Sequence, residues 1–208
     1  MNKSNGFTLL ELLISLSILA VIVVMISASL RVGIRAWEKG EQNVEARQRQ
    51  RIVLDMMRRQ MVSLRLKGFT HNEKEIVSLK GDEKSLTFLS NKAMIPGNTF
   101  GPVYVRYAVN QAENDTERLM LYETNIVLLD KDADIEHPSD KQFYELIPQA
   151  RNISFEYLKK KEEGLEWQPA WDPEADSGVP MAVRIVFKKD EDAAPVHVIA
   201  RIEQKDNS

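Results

Sequence analysis

Residues 7–30 read FTLLELLISLSILAVIVVMISASL, and this stretch decides what the chain can be. The run is 24 residues long. As a helix rising about 1.5 Å per residue it would reach about 36 Å, enough to cross a hydrocarbon core of roughly 30 Å. Its one charge is Glu11, and neither proline nor glycine interrupts it before Gly33. A membrane-spanning helix is therefore expected. A secretory signal peptide is the competing reading, because Ser27-Ala28-Ser29 would serve as a small-residue cleavage site. That reading calls for a shorter apolar region, of about 7–15 residues. A carboxylate near its start also counts against it.

Charge is split on either side of this run. Residues 1–6, MNKSNG, are polar and carry one base. Between 31 and 67, Arg31, Arg35, Lys39, Arg47, Arg49, Arg51, Arg58, Arg59, Arg65 and Lys67 face only Glu38, Glu41, Glu45 and Asp55. The remainder is acidic, and the 208 residues balance to a formal net charge of −3. Such a balance exerts no general pull toward nucleic acid. There is no cysteine, so disulfides, thiolate zinc sites and a cysteine nucleophile are excluded.

The helical pattern continues past the apolar run. Leu30, Ile34, Trp37 and Val44, then Ile52, Val53, Met56, Met57, Met61 and Leu64, recur at spacings of three, four and seven, one face of an amphipathic helix. The methionines are expected to pack under a globular head, and the arginines to form a solvated face. A continuous helix from near residue 7 to near residue 66 would measure about 90 Å. No small core buries that length, so half of it must meet lipid or neighbouring subunits. Gly33 and Gly40 each cost roughly 1 kcal/mol relative to alanine and mark a soft section. Lys67-Gly68 reads as a glycine C-cap.

Beyond Gly68 the period becomes two. Strands are expected at 76–79, 85–90, 103–109, 118–123, 125–129, 152–159, 181–188 and 196–203. Ile153, Phe155 and Tyr157 alternate with Ser154, Glu156 and Leu158, as in an antiparallel sheet with one face on a core. The spacings leave no room for parallel crossovers. The fold class is α+β, with a long N-terminal helix on an antiparallel sheet. Four segments follow: a leader (1–6), a membrane half-helix (7–30), an amphipathic half-helix (31–67) and a β-rich head (68–208).

Gly6-Phe7-Thr8-Leu9-Leu10-Glu11 resembles the class III prepilin junction of type IV pilins and type II secretion pseudopilins. The resemblance combines a short basic leader, Gly then Phe, a glutamate five residues into the mature chain, and a long apolar span. It implies a type IV pilin-like fold. It also implies cleavage after Gly6 by prepilin peptidase, N-methylation of Phe7, and pairing of Glu11 with the N-terminal amine of an adjacent subunit. A carboxylate inside a spanning helix costs roughly 2.5–3.5 kcal/mol on insertion scales, so a partner is needed. The head is expected in the periplasm, the chain being single-pass in the bacterial inner membrane. Flanking bases do not support that orientation, because Lys3 alone precedes the run while Arg31, Arg35 and Lys39 follow it.

The basic segment 47–66 and the end of the head are similar to the J-type minor pseudopilin. The tail carries Ile153-Ser154-Phe155-Glu156-Tyr157, then Trp167, Trp171, Pro180 and Met181-Ala182-Val183-Arg184-Ile185. Glu11 argues against the K-type subunit, which characteristically lacks this carboxylate. The J-type resemblance implies a tip complex with I- and K-type subunits that primes a periplasmic pseudopilus on the inner-membrane assembly platform. A minor pilin of a type IV pilus, serving priming, adhesion or DNA uptake, is the alternative. The helix face, with Leu30, Ile34, Trp37, Val44, Ile52, Met56, Met57 and Met61, would carry packing.

An enzyme is not expected. His71, His137 and His197 lack metal-ligand spacing, and there is no GxSxG, P-loop or GxGxxG. Asp130, Asp132 and Asp134 resemble the first half of an EF-hand loop. However, Ile135 stands where glycine is needed and Lys141 where the final glutamate belongs, leaving only a looser calcium site to consider. Asp172, Glu174 and Asp176 form a second acidic loop of the same kind. No other cofactor is implied.

Overall fold

The computed structural model describes residues 8–203 except 72, 131, 132, 163 and 177, and not the side chains at 36, 38–47 and 74. One helix, α1 (Leu9–Val62), opens the chain. The chain divides into two units, Met1–Arg49 and Gln50–Ser208.

In the second unit the last turns of α1 lie on a sheet built from β1 (Phe69–His71), β2 (Lys74–Ile76), β3 (Leu79–Gly81), β4 (Ser85–Ser90), β5 (Val103–Gln111), β6 (Glu117–Asn125), β7 (Tyr144–Lys161), β8 (Gly164–Gln168), β9 (Ala182–Lys188) and β10 (Val196–Arg201). β1 and β2 form a separate hairpin. The other strands run in the order β10-β9-β7-β6-β5-β4-β3, with β8 paired to β7. Every described pairing is antiparallel, as the short spacings in the sequence require.

Alternation along the strands gives the sheet two faces. Leu86, Phe88, Val103, Val105, Tyr107, Leu119, Leu121, Phe155 and Ile185 join Met57, Met61 and Leu64 of the helical segment in the main core. Ile76, Leu89, Tyr104, Tyr122 and Ile135 form a second cluster, covered by Phe69 and Phe143. A buried polar clamp fixes α1 to the sheet. The Gln60 amide donates to Glu123 Oε2 at 2.5 Å and accepts from the Tyr107 hydroxyl at 2.6 Å. Glu123 also accepts from the backbone of Met94 and Ile95. Burial pushes the Tyr107 hydroxyl well above the ordinary phenol range, with the Glu123 charge adding to it, so the hydroxyl stays protonated and donates.

β7 is long enough to serve both halves of the sheet. It pairs with β6 through its first part and with β9 through its second, with a register shift between Arg151 and Ser154. Asn152 sits there at φ 54°. The irregularity leaves Ile153 without ladder partners, and side chains replace them. Glu117 Oε2 accepts from Ile153 N–H at 2.6 Å, while Lys84 Nζ donates to Ile153 O at 2.8 Å and to Glu117 at 2.7 Å.

Several element limits differ from the sequence expectation. α1 ends at Val62, not at Gly68. β4 and the residue after it capture the chain just past the helix: Asn91 N–H donates to Ser63 O, and Arg65 N–H donates to Leu89 O. Gly68 is not a C-cap. A Cβ there would meet Ile76 O at 2.4 Å, so the residue permits close backbone approach. Residues 126–129 are not a strand, because Asn125 ends β6 and its side chain accepts from Val127 N–H at 2.8 Å. β8, unforeseen, folds back on β7 behind the Lys161–Glu166 ion pair.

Candidate functional site

The first unit contains the apolar part of α1. Leu9–Arg35 is 27 residues long, is apolar enough to cross a membrane, and its apolar stretch is not buried within the chain. Leu12, Ile18, Val24 and Met25 are typical, each more than half exposed. Transfer of one such side chain from water to an apolar medium is worth roughly 1.5–3 kcal/mol. Lipid or other helices must therefore cover this surface.

A capping box stands at its start. Thr8 Oγ1 accepts from Glu11 N–H at 3.3 Å, while Thr8 N–H donates to Glu11 Oε2 at 3.4 Å and the Thr8 hydroxyl donates to the same oxygen at 3.4 Å. The Glu11 carboxylate thus sits at the positive end of the helix, where the first amides lack intrahelical acceptors. Ser15 and Ser17 turn inward, donating to Glu11 O and Leu13 O at 2.8 Å each, which satisfies their hydroxyls without water. Sequence reasoning placed Thr8 in the junction motif beside Glu11 but gave it no capping role. The signal was present in the T-x-x-E spacing.

Gly6 and Phe7 lie outside the described residues. Leu30, Ile34 and Trp37 are exposed, Trp37 by 76%, on the same stretch of helix surface as Ser29 and Gly33. The Val44 side chain lies outside the described residues. Further on, the expected stripe divides: Met57 and Met61 are buried, whereas Ile52 and Met56 are 52% and 37% exposed. The face on the head is centred on Met57, Gln60, Met61 and Leu64. Val53 and Leu54, half-buried, pack against the same core.

The acidic loops hold themselves. Asp134 accepts from the backbone of Glu136 and His137 and from the His137 ring. The His137 contact comes first among the causes that hold its carboxyl below the ordinary range. Asp130 is exposed and Asp132 is outside the described residues. Asp176 pairs with Lys159 and accepts from Gln168 and from Asp172 N–H. Among the described residues no three His, Asp or Glu gather as a metal site.

The chain matches the family model for the prokaryotic N-terminal methylation motif over residues 1–27. This is a prepilin-type N-terminus. It supports a type IV pilin-like or pseudopilin family, with processing by prepilin peptidase and assembly with other pilins. The apolar helix followed by an antiparallel sheet is consistent with the type IV pilin-like fold, and one such helix with the methylation motif fits a single-pass, membrane-anchored protein. No curated protein and no solved structure matches the chain.

Proposed function

We propose that the chain is a minor pseudopilin of a type II secretion system, most similar to the J-type, acting in the tip complex that primes the pseudopilus. The observation that carries the reading is the prepilin junction on a helix whose apolar half is exposed along its length. The tail pattern 153–157, Trp167, Trp171 and 181–185, and the retained Glu11, favour the J-type over the K-type. The head lies in the periplasm, and the chain supplies surfaces to I- and K-type neighbours; no catalytic step or cofactor is assigned to it. On release from the membrane, the Glu11 carboxylate exchanges the Thr8 cap for the amine of an adjacent subunit.

A minor pilin of a type IV pilus is the second reading, because the motif is common to both systems. Deletion in the host separates them. Loss of exported enzymes with surface pili intact supports the first; loss of pili or DNA uptake with normal export supports the second and removes the first.

A further inference from the structure

The chain treats the two edges of the head sheet differently. At β3 it covers the edge itself: Gly81 N–H donates to Trp171 O at 3.0 Å, and Trp171 N–H donates to Gly81 O at 2.8 Å. Trp171 is 4% exposed, and its indole donates to Gly178 O. At β10 no described residue pairs on the outer side.

The pairing of β10 with β9 shows which groups are left there. Ile202 N–H donates to Met181 O at 2.9 Å, in register with the ladder that joins Ala200 to Val183, Val198 to Ile185 and Val196 to Phe187. Hydrogen-bonded and non-hydrogen-bonded pairs alternate along an antiparallel ladder. Val196, Val198 and Ala200 therefore bond to β9, and His197, Ile199 and Arg201 turn their N–H and C=O groups outward. These three side chains are also exposed, Ile199 by 49%. Proteins blunt free edges with proline, bulges or inward charges. β10 has no proline, its register with β9 is unbroken, and its inward residues are Val198 and Ala200.

We propose that β10 receives, edge to edge, a strand from the head of a different pilin-like subunit, with an apolar residue opposite Ile199 and a carboxylate opposite Arg201. The proposal rests on the assembly with other pilins that the N-terminal motif implies. The strand supplies main-chain hydrogen bonds, and the side-chain row selects the partner. That row contains one fixed positive charge and no carboxylate. A second copy paired about Ile199 would set Arg201 against His197 and leave both arginines without an acid, so a different subunit satisfies the edge better.

The test uses the full-length chain in its host membrane, with a photoreactive residue at 197, at 30 in the apolar helix, or at 165 on β8 as an exposed control. Position 197 is expected to cross-link to a head strand of a second prepilin-motif protein, identified by mass spectrometry, and 165 is not. Ile199→Pro removes an outward N–H that β9 does not use, and Arg201→Glu leaves the backbone untouched. Each is expected to lower the yield at 197 by about fivefold. If Ile199→Pro fails to fold, Arg201→Glu alone decides. Cross-links from 30 to prepilin-motif proteins with none from 197 overturn the edge proposal but not the assembly reading; absence at both positions overturns both. Cross-linking of 197 only to a second copy, equal yields at 197 and 165, or yields unmoved by Arg201→Glu also overturn the proposal.

Discussion

Thr8 and Glu11 close on each other at the start of α1, threonine receiving the glutamate N–H at 3.3 Å and the carboxylate receiving the threonine N–H at 3.4 Å. The acid is therefore occupied within its own subunit. The contacts are long and weak, so the carboxylate can leave them for a full positive charge. Glu11→Ala should be cut normally after Gly6 but assemble poorly. Cross-linking between subunit helices, measured against leader removal, checks this; assembly equal to the parent chain would remove the pairing role.

The divided methionine stripe gives a second expectation. Met57→Ala or Met61→Ala should destabilise the head by about 2–5 kcal/mol, the usual cost of emptying a packed site. Met56→Ala, one position away but exposed, should cost less than about 1 kcal/mol. Denaturant unfolding followed by near-ultraviolet circular dichroism distinguishes the two faces.

Gln60→Leu keeps roughly the same volume but leaves the Tyr107 hydroxyl only the weakly accepting Met94 sulfur, and it removes one donor from Glu123, which keeps those of Met94, Ile95 and Asn98. A loss of about 1–3 kcal/mol is expected, because buried groups deprived of partners bear their desolvation cost. The same unfolding measurement reads it, and an unchanged midpoint would show that the clamp contributes nothing.

Asp176 gives a pH dependence. Burial opposes its charge, but the Lys159 ammonium and the bonds from Asp172 N–H and Gln168 outweigh it, so its pKa falls below the ordinary 3.8. A lowered carboxyl pKa adds stability above the unfolded value and loses it as pH falls through the folded one. Asp176→Asn should therefore be less stable than the parent at pH 6–7, with the gap closing below about pH 4. A gap independent of pH would show that charge is not the cause.

Much of this was legible in the sequence because it depends on local periodicity. The apolar run, the antiparallel strands at 85–90 and 181–188 and the prepilin junction required no distant contact. What escaped reading depends on partners far along the chain. The end of α1 is set by β4 and not by Gly68. The long β7 is divided by a bulge that Glu117 and Lys84 satisfy from elsewhere, and Asn125 ends a strand by bonding the loop that follows. At the N-terminus, Glu11 was conspicuous as a charge in an apolar run. Thr8, an ordinary small polar residue, gained meaning only through its distance from Glu11.

Coexpression of the full chain with prepilin peptidase, followed by intact-mass and N-terminal peptide analysis, tests the prepilin reading most directly. The product should lack residues 1–6 and begin with N-methylated Phe7. An intact leader, or a chain beginning near Ser29, would contradict it.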